Sequence, residues 1–339
     1  MSVYRRIDRD KIQFDFLVHN LENDAYRKEI EELGGRIFIL DRLNFLNPLK
    51  YIRDLDKILE NNKEISILHC HFRGTEAIIL KEAKKHGFMT ISHNHGTQNS
   101  SKFNSLIRRI FKKDVLKYSD IKLACSDQAG TDFYGRGSYK KINNGIDLEK
   151  YKFDEDVRQE TRRELKFEEN YVLINVGSLS DIKNQDFLIR LMPDLLEKNP
   201  YIRLLLVGDG PLKSDLENLC KDLKVKDQVI FLGNSDRVNE LLMAADIFLF
   251  PSKREGLGIS AIEAQASGLV SLLSTNVPRD AGISELARFI ALDKDKWIDE
   301  ILYSKGSVRK NVIEDIRRKG YDIKTSVKKL SNIYLHLLK

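Results

Sequence analysis

Cysteine is scarce in this chain, and its spacing excludes two common kinds of site. Only three of the 339 residues are cysteines, Cys70, Cys125 and Cys220, and each lies in or near an apolar segment. No pair has the Cys-x-x-Cys spacing used by zinc ribbons and redox sites. An odd number of widely spaced thiols is not a disulfide framework, so we expect buried, reduced cysteines in a cytoplasmic protein.

Long apolar runs are also missing. No run approaches about 20 uninterrupted apolar residues, the length that a membrane-spanning helix needs, and the mean hydropathy is −0.38. The first residues, from Met1 to Arg6, are polar and lack the apolar segment of a secretory signal. The sequence therefore predicts neither a membrane-spanning helix nor an export signal.

Positive charge is in moderate excess, with a net charge of +6, but no nucleic-acid-binding motif accompanies it. Aromatic residues are not interleaved with a basic stripe, so nucleic acid is not an expected partner. The basic residues concentrate in 102–117, where apolar residues recur at helical spacing on the opposite face. This pattern fits a helix lying on the inner membrane surface, and it fits equally an amphipathic helix packed on its own domain.

Strand and helix patterns alternate along the whole chain, and its length predicts two domains. Apolar runs predict strands at 12–18, 36–40, 65–70, 89–93, 121–125 and 140–142, and again at 171–176, 202–207, 229–232, 247–250 and 270–273. Apolar residues at three- and four-residue spacing predict helices at 24–33, 48–60, 75–86, 184–198, 212–223 and 240–245. Such alternation is typical of α/β proteins with parallel sheets and helices on both faces.

The domain boundary is expected in a polar segment, 147–170, that is dense in charge and lacks strand character. We therefore predict an N-terminal domain over 1–146 and a C-terminal domain over 147–322. The last segment, 323–339, is predicted to be a helix.

The most informative stretch is 248–264, where an apolar strand ends at a proline and a Gly-x-Gly loop leads into a helix. Ligands of α/β proteins bind beyond the carboxyl ends of their strands. Gly256 and Gly258 allow backbone N–H groups to face a ligand, and the positive end of the following helix favours phosphate. Two carboxylates flank this loop, Glu255 within it and Glu263 about one turn into the helix. Each is able to accept hydrogen bonds from hydroxyl groups, although both acids could also be solvated surface residues.

The spacing of Glu255 and Glu263 resembles the Glu-x7-Glu motif of retaining glycosyltransferases with the GT-B fold. The surroundings are similar to family 4, the glycosyl transferases group 1, of the capsular and exopolysaccharide type. The resemblance implies two Rossmann-like domains facing across a cleft, with the last helix packing back on the first domain. It also implies that Glu255 contacts the donor sugar and that Glu263 holds the nucleotide ribose. The other implied donor-site residues of this stretch are Gly256, Leu257, Gly258 and Ile259.

A second strand–turn–helix, 176–184, suits a diphosphate, because a glycine turn, a flexible lysine and backbone N–H groups converge at a helix start. The family's usual pattern is Gly-Arg-x4-Lys-Asn. Gly177, Lys183 and Asn184 match it, whereas Ser178 replaces the arginine. The resemblance implies that these residues bind the donor diphosphate and that Lys183 steadies the leaving group. A bidentate arginine contact is hard to replace, so we expect weakened phosphate binding; a plain βα turn is the alternative.

Two local patterns predict local structure, and a third argues against another class of glycosyltransferase. The Gly-Asp-Gly-Pro turn at 208–211 is expected to be tight, with Pro211 at the first helical position. Ser126 is expected to cap a helix. The Asp-x-Asp pairs at 154/156 and 293/295 lie in charged segments and do not follow an apolar strand, so a metal-dependent GT-A enzyme is not expected.

Four histidines, His69, His71, His93 and His95, follow two strand patterns, so their side chains could converge on one cleft. His-x-His is a common pair of metal ligands, but no carboxylate or cysteine at ligand spacing completes a site, so we predict no metal. The resemblance implies that His95, in a His-Gly-Thr motif, hydrogen-bonds the donor sugar and fixes its pose. For the other three, a functional role and an ordinary core or surface position both stay open.

Members of this family usually begin with a strand and a glycine-rich loop, neither of which is recognisable here. Residues 1–8 resemble the end of the helix that follows that loop. We therefore expect an N-terminal domain without its first strand, unless the sheet re-pairs, another chain fills the place or the protein starts upstream.

The resemblance implies sugar transfer, with retention of configuration, from a nucleotide sugar (a UDP-sugar is expected) to a hydroxyl group of a glycan or lipid-linked acceptor. No cofactor is expected to be required. We expect the protein in the cytoplasm or at the inner face of the plasma membrane. A truncated, non-catalytic nucleotide-sugar-binding or partner protein of the same fold is the alternative, and a GT-B epimerase or phosphorylase is a more distant one.

Overall fold

The computed structural model describes residues 1–19, 26–44, 47–71, 74–95 and 105–338, and only the backbone of 105–110. Contacts divide the chain into two compact units. Unit 1 comprises Met1–Gly145 and Ile323–Lys339, and unit 2 comprises Ile146–Asp322.

Unit 1 alternates strands and helices along the chain. Its strands are β1 (Phe16–Val18), β2 (Ile37–Ile39), β3 (Ile67–Cys70), β4 (Met89–Asn94), β5 (Ile121–Ala124) and β6 (Lys140–Lys141). Its helices are α1 (Arg27–Glu32), α2 (Pro48–Glu60), α3 (Glu76–Lys85), α4 (Ser105–Tyr118), α5 (Asp127–Tyr134) and, at the end of the chain, α14 (Ile323–Leu337).

Unit 2 follows the same alternation. Its strands are β7 (Tyr171–Val176), β8 (Ile202–Val207), β9 (Val229–Gly233), β10 (Ile247–Phe250), β11 (Ser271–Ser274) and β12 (Ala287–Ile290). Its helices are α6 (Leu148–Tyr151), α7 (Glu155–Glu164), α8 (Gln185–Lys198), α9 (Lys213–Asp222), α10 (Val238–Ala244), α11 (Ile259–Ala266), α12 (Lys294–Tyr303) and α13 (Ile313–Arg318), with a short 3₁₀ turn at Arg279–Ala281.

The strands of unit 1 are parallel and lie in two sheets. β1 pairs with β2, and the other four follow the order β3-β4-β5-β6. One face buries Tyr51, Leu55 and Leu80 of α2 and α3. The other face packs against α14 and the first residues of the chain, where Tyr4 and Tyr334 join one apolar cluster. The final helix thus belongs to the core of unit 1.

The sheet of unit 2 is parallel, with the strand order β12-β11-β10-β7-β8-β9. From β7 the chain proceeds outward through β8 and β9, and it then returns to the other side of β7 for β10, β11 and β12. The central strands are buried on both faces, which explains why they are nearly continuous apolar runs. Where the strand order reverses, between β7 and β10, the carboxyl ends of an open α/β sheet leave a crevice for ligands.

Several predicted elements differ from the observed ones. The strand predicted over 12–18 is paired only at Phe16–Val18. Strand β12 was not predicted, because it is short and carries Arg288, whose side chain is paired with Glu300 of α12. Helix α7 lies in the segment predicted to be a polar boundary.

Helix α7 is stabilised by polar contacts rather than by an apolar stripe. The guanidinium of Arg158 donates to the carbonyls of Met243, Ala244 and Ala245 at the end of α10. The Arg158 side chain also forms an ion pair of 2.5 Å with Asp246. Hydrophobic periodicity does not report contacts of this kind, so the apolar pattern predicts no helix in this segment.

Helix caps account for several of the polar residues singled out in the sequence. The Ser126 hydroxyl accepts a hydrogen bond from Ala129 N at 3.1 Å, which confirms its predicted cap role. Asp154 and Asp293 cap α7 and α12, respectively. The prediction for Pro211 was wrong, because α9 begins at Lys213 and the proline lies two residues before it.

The basic segment 102–117 falls largely within α4. In its described half, Val115 is buried and Phe111 and Leu116 pack against the core of unit 1. Residues 102–104 and the side chains of 105–110 lie outside the described residues. Contact of this helix with a membrane stays a hypothesis without structural support. Within the described residues, we find no helix with the length and apolar character needed to cross a membrane. All three cysteines are buried, as predicted.

Candidate functional site

Two loops of unit 2 meet where the strand order reverses. The first, 177–184, follows β7, and the second, 251–258, follows β10; we call them the switch-point loops. The Asn184 side-chain amide donates to Pro251 O at 3.1 Å. Lys253 N donates to Ile182 O at 2.8 Å, and its ammonium pairs with Asp181 at 2.6 Å. These contacts join the two loops into one surface beyond the carboxyl ends of the strands.

A lysine–glutamate pair lies within this surface. Lys183 Nζ lies 2.7 Å from Glu255 Oε1, and the two side chains are only 21% and 11% exposed. The ammonium also lies 4.9 Å from the centroid of the Phe250 ring. A Cβ atom at Gly177 would lie 3.3 Å from Lys183 Cε, so glycine leaves room for the lysine to reach across. The structure thus brings together two residues that the sequence analysis singled out separately.

The Gly-Asp-Gly-Pro turn after β8 packs directly against the first switch-point loop. A Cβ atom at Gly208 would lie 2.2 Å from Gly177 O, and one at Gly210 would lie 2.4 Å from Leu179 O. Leu179 N also donates to Asp209 O at 3.0 Å. Backbone therefore packs directly on backbone here, in agreement with the structural role predicted for this turn.

Helix α11 begins at the end of the second switch-point loop. Gly258 caps it with a left-handed conformation (φ 89°), which favours glycine. Leu257 is buried and Ile259 is exposed. Backbone N–H groups at this helix start form the kind of environment that attracts phosphate.

Glu263 lies further along α11 and is held by a residue that the sequence analysis missed. The Tyr151 hydroxyl donates a hydrogen bond to its carboxylate. Burial raises the pKa of Glu263, while Tyr151 and the charge of Lys150 act in the opposite direction. Asp147 caps the short helix α6 that carries the tyrosine, and this cap was the one available sequence signal.

The remaining predicted donor-site residues have mostly local partners. Ser178 is exposed, and its hydroxyl lies 3.3 Å from Ser180 Oγ, so it places no cation beside the loop. Asn184 is buried in a left-handed conformation (φ 60°) with its amide bound to Pro251, so its role is to link the loops. Gln185 was not predicted; its amide donates to Ser178 O at 3.0 Å and to Asn175 Oδ1 at 3.2 Å.

The four predicted histidines come together in unit 1 at the ends of β3 and β4. His69 Nε2 lies 3.1 Å from His93 Nδ1, and His71 Nδ1 lies 2.7 Å from His95 Nε2. The rings stack, with centroids 4.3 Å apart for His69 and His71 and 4.2 Å apart for His93 and His95. Burial lowers the pKa of His93 to about 2 and that of His69 well below its usual value. These two rings are therefore neutral, and the glycine and threonine that follow His95 lie outside the described residues.

The chain matches a described family and has relatives along almost its whole length. Residues 156–282, which include both switch-point loops and Glu263, match the family described as "Glycosyl transferases group 1". The "Putative glycosyltransferase EpsF" of Bacillus subtilis (strain 168) is 30% identical over 350 aligned positions, covering 98% of this chain and 91% of that protein. The chain belongs to the glycosyl transferases group 1 family.

This group 1 glycosyltransferase is also similar to proteins of more specific description. The "UDP-Gal:alpha-D-GlcNAc-diphosphoundecaprenol alpha-1,3-galactosyltransferase" of Escherichia coli is 25% identical over 320 positions, covering 87% of this chain and 81% of that protein. The crystal structure of Anabaena Alr3699/HepE in complex with UDP aligns with a TM-score of 0.79 at 16% identity, over 96% of this chain and 100% of that one. The predicted α/β, GT-B fold with two Rossmann-like domains is thereby confirmed.

Proposed function

We propose that this glycosyltransferase moves a sugar from a UDP-sugar to a hydroxyl group of a glycan or lipid-linked acceptor, with retention of configuration, in exopolysaccharide biosynthesis. The observation that carries the proposal is the surface at the switch point of unit 2, with the Lys183–Glu255 pair beside the start of α11. The relatives support the same substrates: HepE was solved with UDP, and the Escherichia coli protein is named for UDP-Gal and a diphosphoundecaprenol acceptor.

The donor diphosphate is proposed to lie between Lys183 and the N-terminus of α11. Lys183 is a flexible cation held by one carboxylate, so an entering phosphate offers its ammonium a second anion. The N–H groups at Gly258 and Ile259 supply further donors. Charge accumulates on the leaving diphosphate as the bond to the sugar breaks, and donors already in position stabilise that charge.

In the proposed reaction, the bond between the anomeric carbon and the diphosphate oxygen breaks. A bond from the acceptor oxygen forms on the same face of the sugar, and the acceptor proton passes to the departing diphosphate. Glu255 contacts the donor sugar from the second switch-point loop. For unit 1, taken by itself, we propose that His95 hydrogen-bonds a sugar hydroxyl group and fixes the pose of that sugar.

The nucleotide ribose is proposed to bind Glu263. A carboxylate accepts hydrogen bonds from two adjacent hydroxyl groups, and the Tyr151 hydroxyl holds it in one orientation. Ser178 provides no arginine to the phosphates, so affinity is expected to depend more strongly on Lys183 than in relatives that have the arginine.

The test is calorimetric titration of UDP and of GDP into the full chain, together with measurement of UDP released from UDP-sugars. UDP is expected to bind, and Glu263→Ala is expected to bind it at least about tenfold more weakly, because hydrogen bonds to a charged group are lost. Glu197→Ala removes an exposed acid of α8 and is the matched control. Unchanged UDP affinity in Glu263→Ala would refute the ribose assignment. UDP binding without UDP release from any UDP-sugar would instead favour a non-catalytic protein.

A further inference from the structure

The histidines of unit 1 are arranged on one side of two paired strands. β3 and β4 are parallel neighbours, with Cys70 opposite Ser92. Alternate residues of a strand point to the same face, so His69, His71 and His93 belong to one side of the sheet while Cys70 packs in the core on the other. The register of two adjacent strands therefore concentrates imidazoles at one sheet edge.

The distances within this group suit a metal ion. One ring nitrogen from each of His69, His71 and His93 can be chosen so that all three lie within 4.8 Å of one another. His69 Nε2 and His93 Nδ1 are 3.1 Å apart. Two nitrogens on a tetrahedral zinc ion, each about 2.0–2.1 Å from the metal, are about 3.3 Å apart. Binding the ion would require the three rings to turn until their nitrogens lie about 3.3 Å apart and point at one position.

The surroundings of the three rings also fit ligation. His69 Nδ1 lies 2.6 Å from the Tyr334 hydroxyl, a contact of the kind that orients metal-bound imidazoles through their second nitrogen. His93 is 6% exposed, so its ring is largely shielded from water. His71 is exposed and offers an ion a path from solvent.

We propose that His69, His71 and His93 bind one divalent transition-metal ion, with zinc as the best match. Three neutral imidazoles favour zinc, copper or nickel over magnesium or calcium. The sequence analysis predicted no metal because no carboxylate or cysteine completed a site, whereas the fold supplies three imidazoles together. The ion joins the ends of β3 and β4 and, through Tyr334, ties them to α14. Two of the three ligands contact His95, His71 through a hydrogen bond and His93 by stacking, whereas the other residues of the proposed donor site lie in unit 2.

The experiment uses the full chain, freed of metal with a chelator and then titrated with zinc sulfate or cobalt chloride. We expect one ion per chain, a visible cobalt spectrum of tetrahedral type and a higher Tm with zinc. His93→Gln is expected to weaken binding at least tenfold and to abolish the rise in Tm. His336→Gln, which changes an exposed histidine of α14, is expected to match the unaltered protein.

Binding well below one ion per chain for both metals would overturn the proposal, as would equal zinc affinity in His93→Gln and the unaltered protein. Circular dichroism of each variant checks folding. Where His93→Gln does not fold, His71→Gln takes its place, since His71 is exposed, and the same tenfold loss is required. UDP affinity is measured separately, so failure of metal binding is distinguished from failure of the proposed transferase function.

Discussion

The polar groups at the strand ends are charged in unit 2 and neutral in unit 1. In unit 2, Lys183 and Glu255 form a largely buried ion pair between the two switch-point loops. In unit 1, His69 and His93 are stacked, and burial lowers their pKa values so that both rings are neutral. An ion pair is suited to exchanging one partner for an anionic diphosphate, whereas neutral nitrogens are suited to sugar hydroxyl groups or a metal. The same architecture thus carries, in its two units, two chemically different groups of side chains.

Removing the Lys183 ammonium of unit 2 should have the largest effect of the changes predicted here. Lys183→Met is expected to lower the rate of sugar transfer by about 100-fold or more, because the group that stabilises charge on the leaving diphosphate is lost. The rate of UDP release from a UDP-sugar measures the effect. Lys198→Met, an exposed lysine at the end of α8, is the control and should change the rate less than twofold. Equal rates for Lys183→Met and the unaltered protein would remove the proposed role of this lysine.

A second prediction concerns a buried acid of unit 1, on the side of the sheet opposite to the histidines. Glu76 accepts a hydrogen bond of 2.5 Å from the Ser92 hydroxyl, and burial raises its pKa to about 7. Its folded-state pKa is above the unfolded value, so its contribution to stability is complete at acid pH and is lost as the pH rises from about 4.5 to about 7.

Glu76→Gln should therefore increase the free energy of unfolding by up to about 3 kcal/mol at pH 8 and change it little at pH 4. Urea unfolding at both pH values measures the difference, with Glu197→Gln as the exposed control. The pH dependence that comes from His93 runs in the opposite direction. Its pKa is lowered, so its contribution to the free energy of unfolding is lost as the pH falls below about 6.5. A Glu76→Gln effect that is equal at pH 4 and pH 8 would contradict the assignment.

The smallest expected effect is on UDP affinity, when an arginine is added to the first switch-point loop of unit 2. Ser178→Arg introduces a guanidinium at an exposed position of the first switch-point loop. UDP affinity is expected to rise about threefold, since an exposed charge pair contributes little. Calorimetry with UDP measures the change, and Ser214→Arg, at an exposed position of α9, controls for added net charge. A similar gain in both variants would indicate a general charge effect.

Sequence reasoning predicted most of the fold, because strands buried on both faces leave long apolar runs, whereas the donor-site residues stay a prediction. The predicted residues Lys183 and Glu255 lie 72 positions apart, and their contact at 2.7 Å depends on strand order, which hydrophobic periodicity does not encode. Tyr151 was missed because its partner, Glu263, is distant in the sequence. Gln185 was missed because its contacts, with Ser178 O and Asn175 Oδ1, leave no apolar pattern. Strand β12 was missed because Arg288 interrupts its apolar pattern.

The turn at 208–211 has a consequence for redesign of the donor surface. Gly208 and Gly210 leave no space for a side chain against the backbone of Gly177 and Leu179. A larger residue at either glycine would have to displace the loop that carries the proposed phosphate-binding residues. Segments 177–179 and 208–210 therefore have to vary together, and a loop transplanted from a relative would need the matching turn from the same source.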